Sequence, residues 1–162
     1  MRVELRTTPA SEAWQAVMTA FTRVRRQLAL EVEQEAGIPL DWYGILLMLS
    51  QAESGVMRPS EIADQIGLSR SATTRFVDRL EHEGLVERRE CPSDGRGALV
   101  GLTAEGEKVF RRAGNVHLRG IDEHIGSHLT LDELADLKSL MTTLANRVEG
   151  TALSLIARVP TD

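Results

Sequence analysis

Apolar residues recur at three- and four-residue steps near the start of the chain. Trp14, Val17, Met18, Phe21, Val24, Leu28 and Val32 fall on one side of a helix. They predict one long helix over residues 11–36, capped by Ser11 and stopped at Gly37. After Pro39 the pattern changes. Residues 40–51 are apolar almost all round, with Trp42, Tyr43, Ile45, Leu46, Leu47, Met48 and Leu49, as expected of a central buried helix. Gly55 closes that segment.

Two short amphipathic stretches follow. Ser60 is placed to cap the first and Glu61 to favour the positive end of its dipole, while Ile62, Ala63 and Ile66 form its apolar stripe. Gly67 ends it, and Ser69 caps the next helix after one intervening residue, a spacing that reads as helix-turn-helix. Along residues 70–83, Ala72, Thr73, Phe76, Val77 and Leu80 face one way. Ser71, Thr74, Arg75, Asp78 and His82 face the other, with Arg70 and Arg79 at the flanks. Short hydroxyls and arginines near a helix start suit a DNA major groove, because arginine reaches guanine O6 and N7 with two bonds and serine or threonine bonds bases or phosphates. Taken alone, the same pattern also describes an ordinary surface helix.

The hairpin that follows favours the nucleic-acid reading. Gly84 ends the helix, residues 85–90 read as a strand, and residues 98–103 return with Val100 and Leu102 on one face. Residues 91–97, rich in Pro, Gly and Asp, form an exposed tip carrying Arg96 two residues from Asp94. A small basic tip of this kind suits a narrow minor groove, with the carboxylate orienting the guanidinium. The alternative is a solvated loop with a local ion pair.

Thr103 opens a further helix running to about Gly126, although Gly106, Gly114 and Gly120 lower its propensity. Thr130 and Glu133 form a capping box for a last helix whose Leu134, Leu137, Met141, Leu144 and Val148 lie at near-heptad spacing. The tail from Thr151 stays apolar through Ile156, extending that helix, and ends at Pro160. Apolar stripes on the first and last helices are covered either by a second copy or by an intramolecular bundle. The fold class expected is mainly α with a small β-hairpin wing. A single domain over 1–162 would comprise a winged helix-turn-helix at 40–103, with its wing at 85–103, and dimerisation helices at 11–36 and 104–157.

Composition narrows the function. The chain has 162 residues, 42% of them hydrophobic, and a net charge of −5. That balance argues against a protein coating nucleic acid nonspecifically, but not against a local reader. Arg70, Arg75, Arg79, Arg88, Arg89 and Arg96 fall within the proposed reading segment, while Glu31, Glu33, Glu35, Asp122, Glu123, Asp132 and Glu133 lie elsewhere. There is no apolar run of membrane-spanning length and no signal-peptide core, and the single cysteine fits a reducing compartment, so a cytoplasmic location is expected. Glycine-rich phosphate loops, nucleophile elbows and His–Glu metal motifs are missing, which argues against an enzyme and calls for no cofactor.

The stretches SEIADQIGLSRSATTRFVDRLEHEGLVERR (60–89), SDGRGALVGLT (93–103) and LDWYGILLMLS (40–50) make the chain similar to the multiple-antibiotic-resistance regulator (MarR) family of winged-helix repressors. Asp94-x-Arg96 matches that family's wing motif. Gly95 departs from it, since many members carry a second arginine there, leaving this wing one positive charge fewer. The resemblance implies a homodimeric repressor that binds a palindromic operator and is released by a small ligand. That ligand would sit between the dimerisation helices and the reading domain. The residues assigned to DNA are Ser60, Ser69, Arg70, Ser71, Thr74, Arg75 and Arg79, with Arg96 in the minor groove and Asp94 supporting it.

For the ligand, Trp14, Met18, Phe21, Tyr43 and Met48 are candidates to line a cleft, with Arg25 or His117 holding an anionic, aromatic effector; each is equally a candidate core residue. Three other readings stay open. His117, His124 and His128 are spaced to meet a metal. Cys91, near Arg88 and Arg89, is a candidate redox-sensing thiol. A winged helix can also serve as a protein-interaction module, although outward Arg70, Arg75 and Arg96 fit that poorly.

Overall fold

Long amphipathic segments separated by Gly and Pro give a mainly helical chain, and the computed structural model describes residues 7–66, 69–90 and 98–156 of it. Helix α1 spans Pro9–Ala36, α2 Leu40–Gln51, α3 Pro59–Ile66, α4 Arg70–His82, α5 Ala104–His124 and α6 Leu131–Ile156. Strands β1 (Val56–Met57), β2 (Val86–Glu90) and β3 (Ala98–Leu102) form one antiparallel sheet in the order β1-β3-β2. Contacts divide the chain into two units, Met1–Ile121 and Asp122–Asp162.

The core of the first unit is built around α2. Leu46 and Leu49 are fully enclosed, and around them lie Val32 of α1, Ile62 of α3, Val77 and Leu80 of α4, Val86 and Val100 of the sheet, and Ala113 of α5. Truncating Leu46, Leu49, Ile62 or Leu80 to alanine costs about 2–5 kcal/mol. Register places Val86 opposite Leu102 and Arg88 opposite Val100, so the sheet's inward face continues the core laid down by α4.

Several local details differ from expectation. The sheet has a third strand: Val56 and Met57 pair with Gly101 and Val100. Helix α1 begins two residues before Ser11. Thr8 is its cap, and Ser11 completes a reciprocal capping box three residues on. Helix α3 begins at Pro59 rather than after Ser60, with the Ile62 amide bonded to the Arg58 carbonyl and the Glu61 carboxylate accepting the Arg58 amide at 2.7 Å. Proline suits this first position because its missing N–H would have had no partner there.

A compact knot at the wing's base explains a residue that helix propensity disfavours. Thr103 caps α5, accepting the Gly106 amide at 2.9 Å while its hydroxyl donates to the Gly84 carbonyl at 2.6 Å. A Cβ at Gly106 would lie 1.9 Å from the Leu85 carbonyl oxygen, so only glycine lets α5 start this close to the wing.

In the second unit, α6 opens with the expected box: the Glu133 carboxylate accepts the Thr130 amide at 2.8 Å and the Thr130 hydroxyl accepts the Glu133 amide at 3.3 Å. The Thr130 amide and hydroxyl, both donating to it, hold the Glu133 carboxyl below its ordinary pKa. Leu137, Leu140, Leu144 and Val148 of this helix are exposed. Among the described residues, no helix is long and apolar enough to cross a membrane.

Candidate nucleic-acid interface

Helix α4 is held by its own chemistry before it meets any partner. The Ser69 hydroxyl accepts the Ala72 amide at 3.3 Å, the cap its sequence position implies. Thr73, Val77 and Leu80 are completely enclosed, and Ala72 and Phe76 partly so, as the helical period requires. The opposite side is open, with Arg70, Ser71, Thr74, Arg75, Asp78 and Arg79 all exposed. The Thr74 hydroxyl donates to the Arg70 carbonyl at 2.9 Å, and Arg75 Nε donates to the Ser71 carbonyl at 3.4 Å. These bonds lay the Thr74 and Arg75 side chains back along the first turn of α4, and both residues remain exposed. Ser60, at the second position of α3, is half-buried.

Positive charge in the reading segment is narrower than the arginine count suggests. Arg88 Nη2 pairs with Asp78 at 2.6 Å and its Nη1 with Glu81. The hydrogen bond to Asp78 is the main reason its pKa is raised further. Arg89 pairs with Glu87 at 2.7 Å on the same strand. Both guanidinium charges are thus compensated within the domain. Among the described residues, Arg70, Arg75 and Arg79 have no carboxylate partner, so they carry the free charge of this face. Asp94, Arg96, Gly95, Cys91 and Gly67 lie outside the described residues.

The effector candidates separate into two groups. Trp14, Met18 and Phe21 are exposed along the first half of α1, at 61%, 40% and 59%. Arg25, on the same helix, is paired with Asp41 of the first turn of α2. Tyr43, by contrast, is buried, stacked on Phe110 at 5.9 Å and tilted over His117 at 4.9 Å. Burial pushes the Tyr43 hydroxyl pKa up and the His117 imidazole pKa down, since both charged forms lose water. Met48 is half-buried against the core. Of the seven candidates, Tyr43 and His117 are brought into ring contact. Phe110 joins them unanticipated, although its place on the α5 stripe with Val109, Ala113 and Val116 would have pointed to it. An open groove of about 420 Å³ lies between the end of α2, β1 and α3, with Glu53 and Glu61 in its lining.

The histidine spacing does not act as a helical pair. Helix α5 ends at His124, and His128 sits in a separate 3-10 turn, Gly126–His128. The four-residue interval therefore does not stack the two side chains on one helical face.

Comparison with known proteins agrees with this geometry. A family model described as "MarR family" matches residues 43–97, from the first turn of α2 to the residue before β3. The HTH-type transcriptional regulator FarR of Neisseria gonorrhoeae is 30% identical over 137 residues, covering 83% of this chain and 84% of FarR. The multiple antibiotic resistance protein MarR of Salmonella typhimurium is 32% identical over 88 residues, so the chain spans 61% of that relative's length. Among solved structures, Sco3205 of Streptomyces coelicolor, a MarR family transcriptional regulator in complex with DNA, aligns with a TM-score of 0.76. It shares 30% identity, over 88% of this chain and 90% of Sco3205. Such relatives are regulators and not enzymes. A helix-turn-helix with this capping, this sheet and these relatives places the chain in the MarR family of transcriptional regulators.

Proposed function

We propose that this chain is a sequence-specific DNA-binding transcription regulator of the cytoplasm, acting as a homodimer and repressing its targets until a small molecule releases it. The observation that carries this reading is the outward side of α4, where internally bonded hydroxyls and arginines without a carboxylate partner among the described residues stand on a helix whose other side packs Thr73, Val77 and Leu80 into the core. That arrangement presents arginine donors, with hydroxyl oxygens fixed beside them, to base edges and phosphates. The DNA complex of Sco3205 supports it.

A dimer would be formed by the exposed apolar stripes of α1 and α6. Twofold symmetry then requires a palindromic operator with half-sites about 34–36 Å apart, one helical turn. Ligand release needs a compound that favours one dimer geometry over another. The reading assigns it an anionic aromatic ligand among α1, α2 and α5, where Tyr43 and His117 supply rings and Arg25 a cation that the ligand's carboxylate would take over from Asp41.

The test is selection of bound genomic fragments by the full chain, followed by footprinting. The expected result is a protected palindrome whose affinity falls steeply with salt, with log K against log[salt] sloping about −0.9 per neutralised phosphate. Fragments recovered without a common palindrome would contradict it.

A further inference from the structure

The two acids on the DNA-facing helix call for an explanation. Asp78 and Glu81 stand three residues apart on α4, hence on one side of it, and Asp78 is 53% exposed. A carboxylate there repels phosphate. Both acids, however, close on one group. Arg88 of β2 shares its strand face with Val86, which is buried against α4, so two residues on its side chain runs out over the flank of the same helix. Its two terminal nitrogens then take Asp78 and Glu81, one each. The fork of a guanidinium fits this task; a lysine ammonium has no comparable geometry. With both nitrogens engaged, Arg88 has no free fork for a phosphate. Arg89, on the opposite face of the strand, is occupied by Glu87.

We infer that Arg88 is a positioning residue: clamped between Asp78 and Glu81, it fixes the wing strand against the reading helix so that both meet DNA as one rigid unit. The inference rests on the DNA-reading function proposed above. It assigns the acids a purpose that outweighs their repulsion, and it separates Arg88 from the arginines that touch nucleic acid.

The sign of two effects tests it. Wild type, Asp78→Asn, Asp78→Asn/Glu81→Gln and Arg88→Gln are titrated by fluorescence anisotropy onto the selected palindrome and onto random duplex, over a range of salt. Thermal melts identify variants that remain folded, and the single Asp78→Asn, at an exposed site, carries the test if the double variant does not fold. Removing the acids is expected to weaken palindrome binding by about tenfold, the scale of one charge-assisted hydrogen bond, while random-duplex affinity holds or rises. Arg88→Gln is expected to weaken palindrome binding equally with an unchanged salt slope, whereas loss of a phosphate contact lowers the slope by about one. Palindrome and random-duplex affinities rising together in the acid variants would overturn the clamp, as would a slope reduced by about one in Arg88→Gln. Wild type failing on every duplex would overturn the DNA-reading function itself, an outcome distinct from either.

Discussion

Helices α1 and α4 each leave one side open, and the two sides have opposite chemistry. On α4 the open side carries Arg70, Ser71, Thr74, Arg75 and Arg79. On the first half of α1 it carries Trp14, Met18 and Phe21, while only the second half packs its Leu28, Val32 and Ala36 into the core. The α4 side costs little in water, and it gains from a partner that offers acceptors and negative charge. The α1 side is apolar surface that water disfavours, and it gains from any partner that covers it. The two open sides thus suit the two partners proposed above: the polar one DNA, the apolar one a second copy of the chain. The folded core shared by α2, α4 and the sheet fixes the reading side; nothing in that core covers the α1 stripe.

The largest effect separating the two sides is expected at α1. Trp14→Ser/Phe21→Ser removes two aromatic side chains, each worth about 1.5–3 kcal/mol when buried. Each substitution is present in both protomers, so the dimer dissociation constant should rise by about a thousandfold at least, as read by analytical ultracentrifugation, with the monomer still folded because both residues are exposed. An unchanged dimer would show that the stripe is not the contact. The smallest effect concerns neither open side. Burial lowers the His117 pKa below its ordinary 6.5, so as pH falls the unfolded chain takes up this proton before the folded one does. Stability from this source is complete above pH 6.5 and is lost as pH drops toward the folded value. Melting curves of wild type and His117→Phe should diverge below about pH 6.5, with the variant flatter; parallel curves would contradict the burial argument.

What the sequence made legible was set by local periodicity. The two sides of α4, its Ser69 cap and the Thr130–Glu133 box all follow from residues within a few positions of one another, and each is present in the structure. What it hid was nonlocal. Strand β1 is two residues long, too short for alternation to show, and exists because Val56 and Met57 find Gly101 and Val100. Arg88 and Arg89 look like two more DNA-facing cations until the fold lays β2 beside α4 and both charges are answered. Gly106 looks like a weak helix position, whereas the approach of Leu85, distant in sequence, demands it. The apolar stripe of α1 was visible end to end, but periodicity does not say which half the core will cover. Ser11 reads as a cap from sequence, whereas Thr8 is the cap, because the capping box is reciprocal and either partner matches the pattern.

The most direct test of the central claim is the affinity of Arg75→Ala, beside wild type, for the selected palindrome and for random duplex at one salt concentration. Arg75 lies on the open side of α4, bonded only to its own helix among the described residues. A base-reading arginine is worth about 1–3 kcal/mol. Palindrome binding should therefore weaken by about tenfold or more, while random-duplex binding changes far less, so that the specificity ratio collapses. An unchanged ratio would mean that this side of α4 does not read DNA.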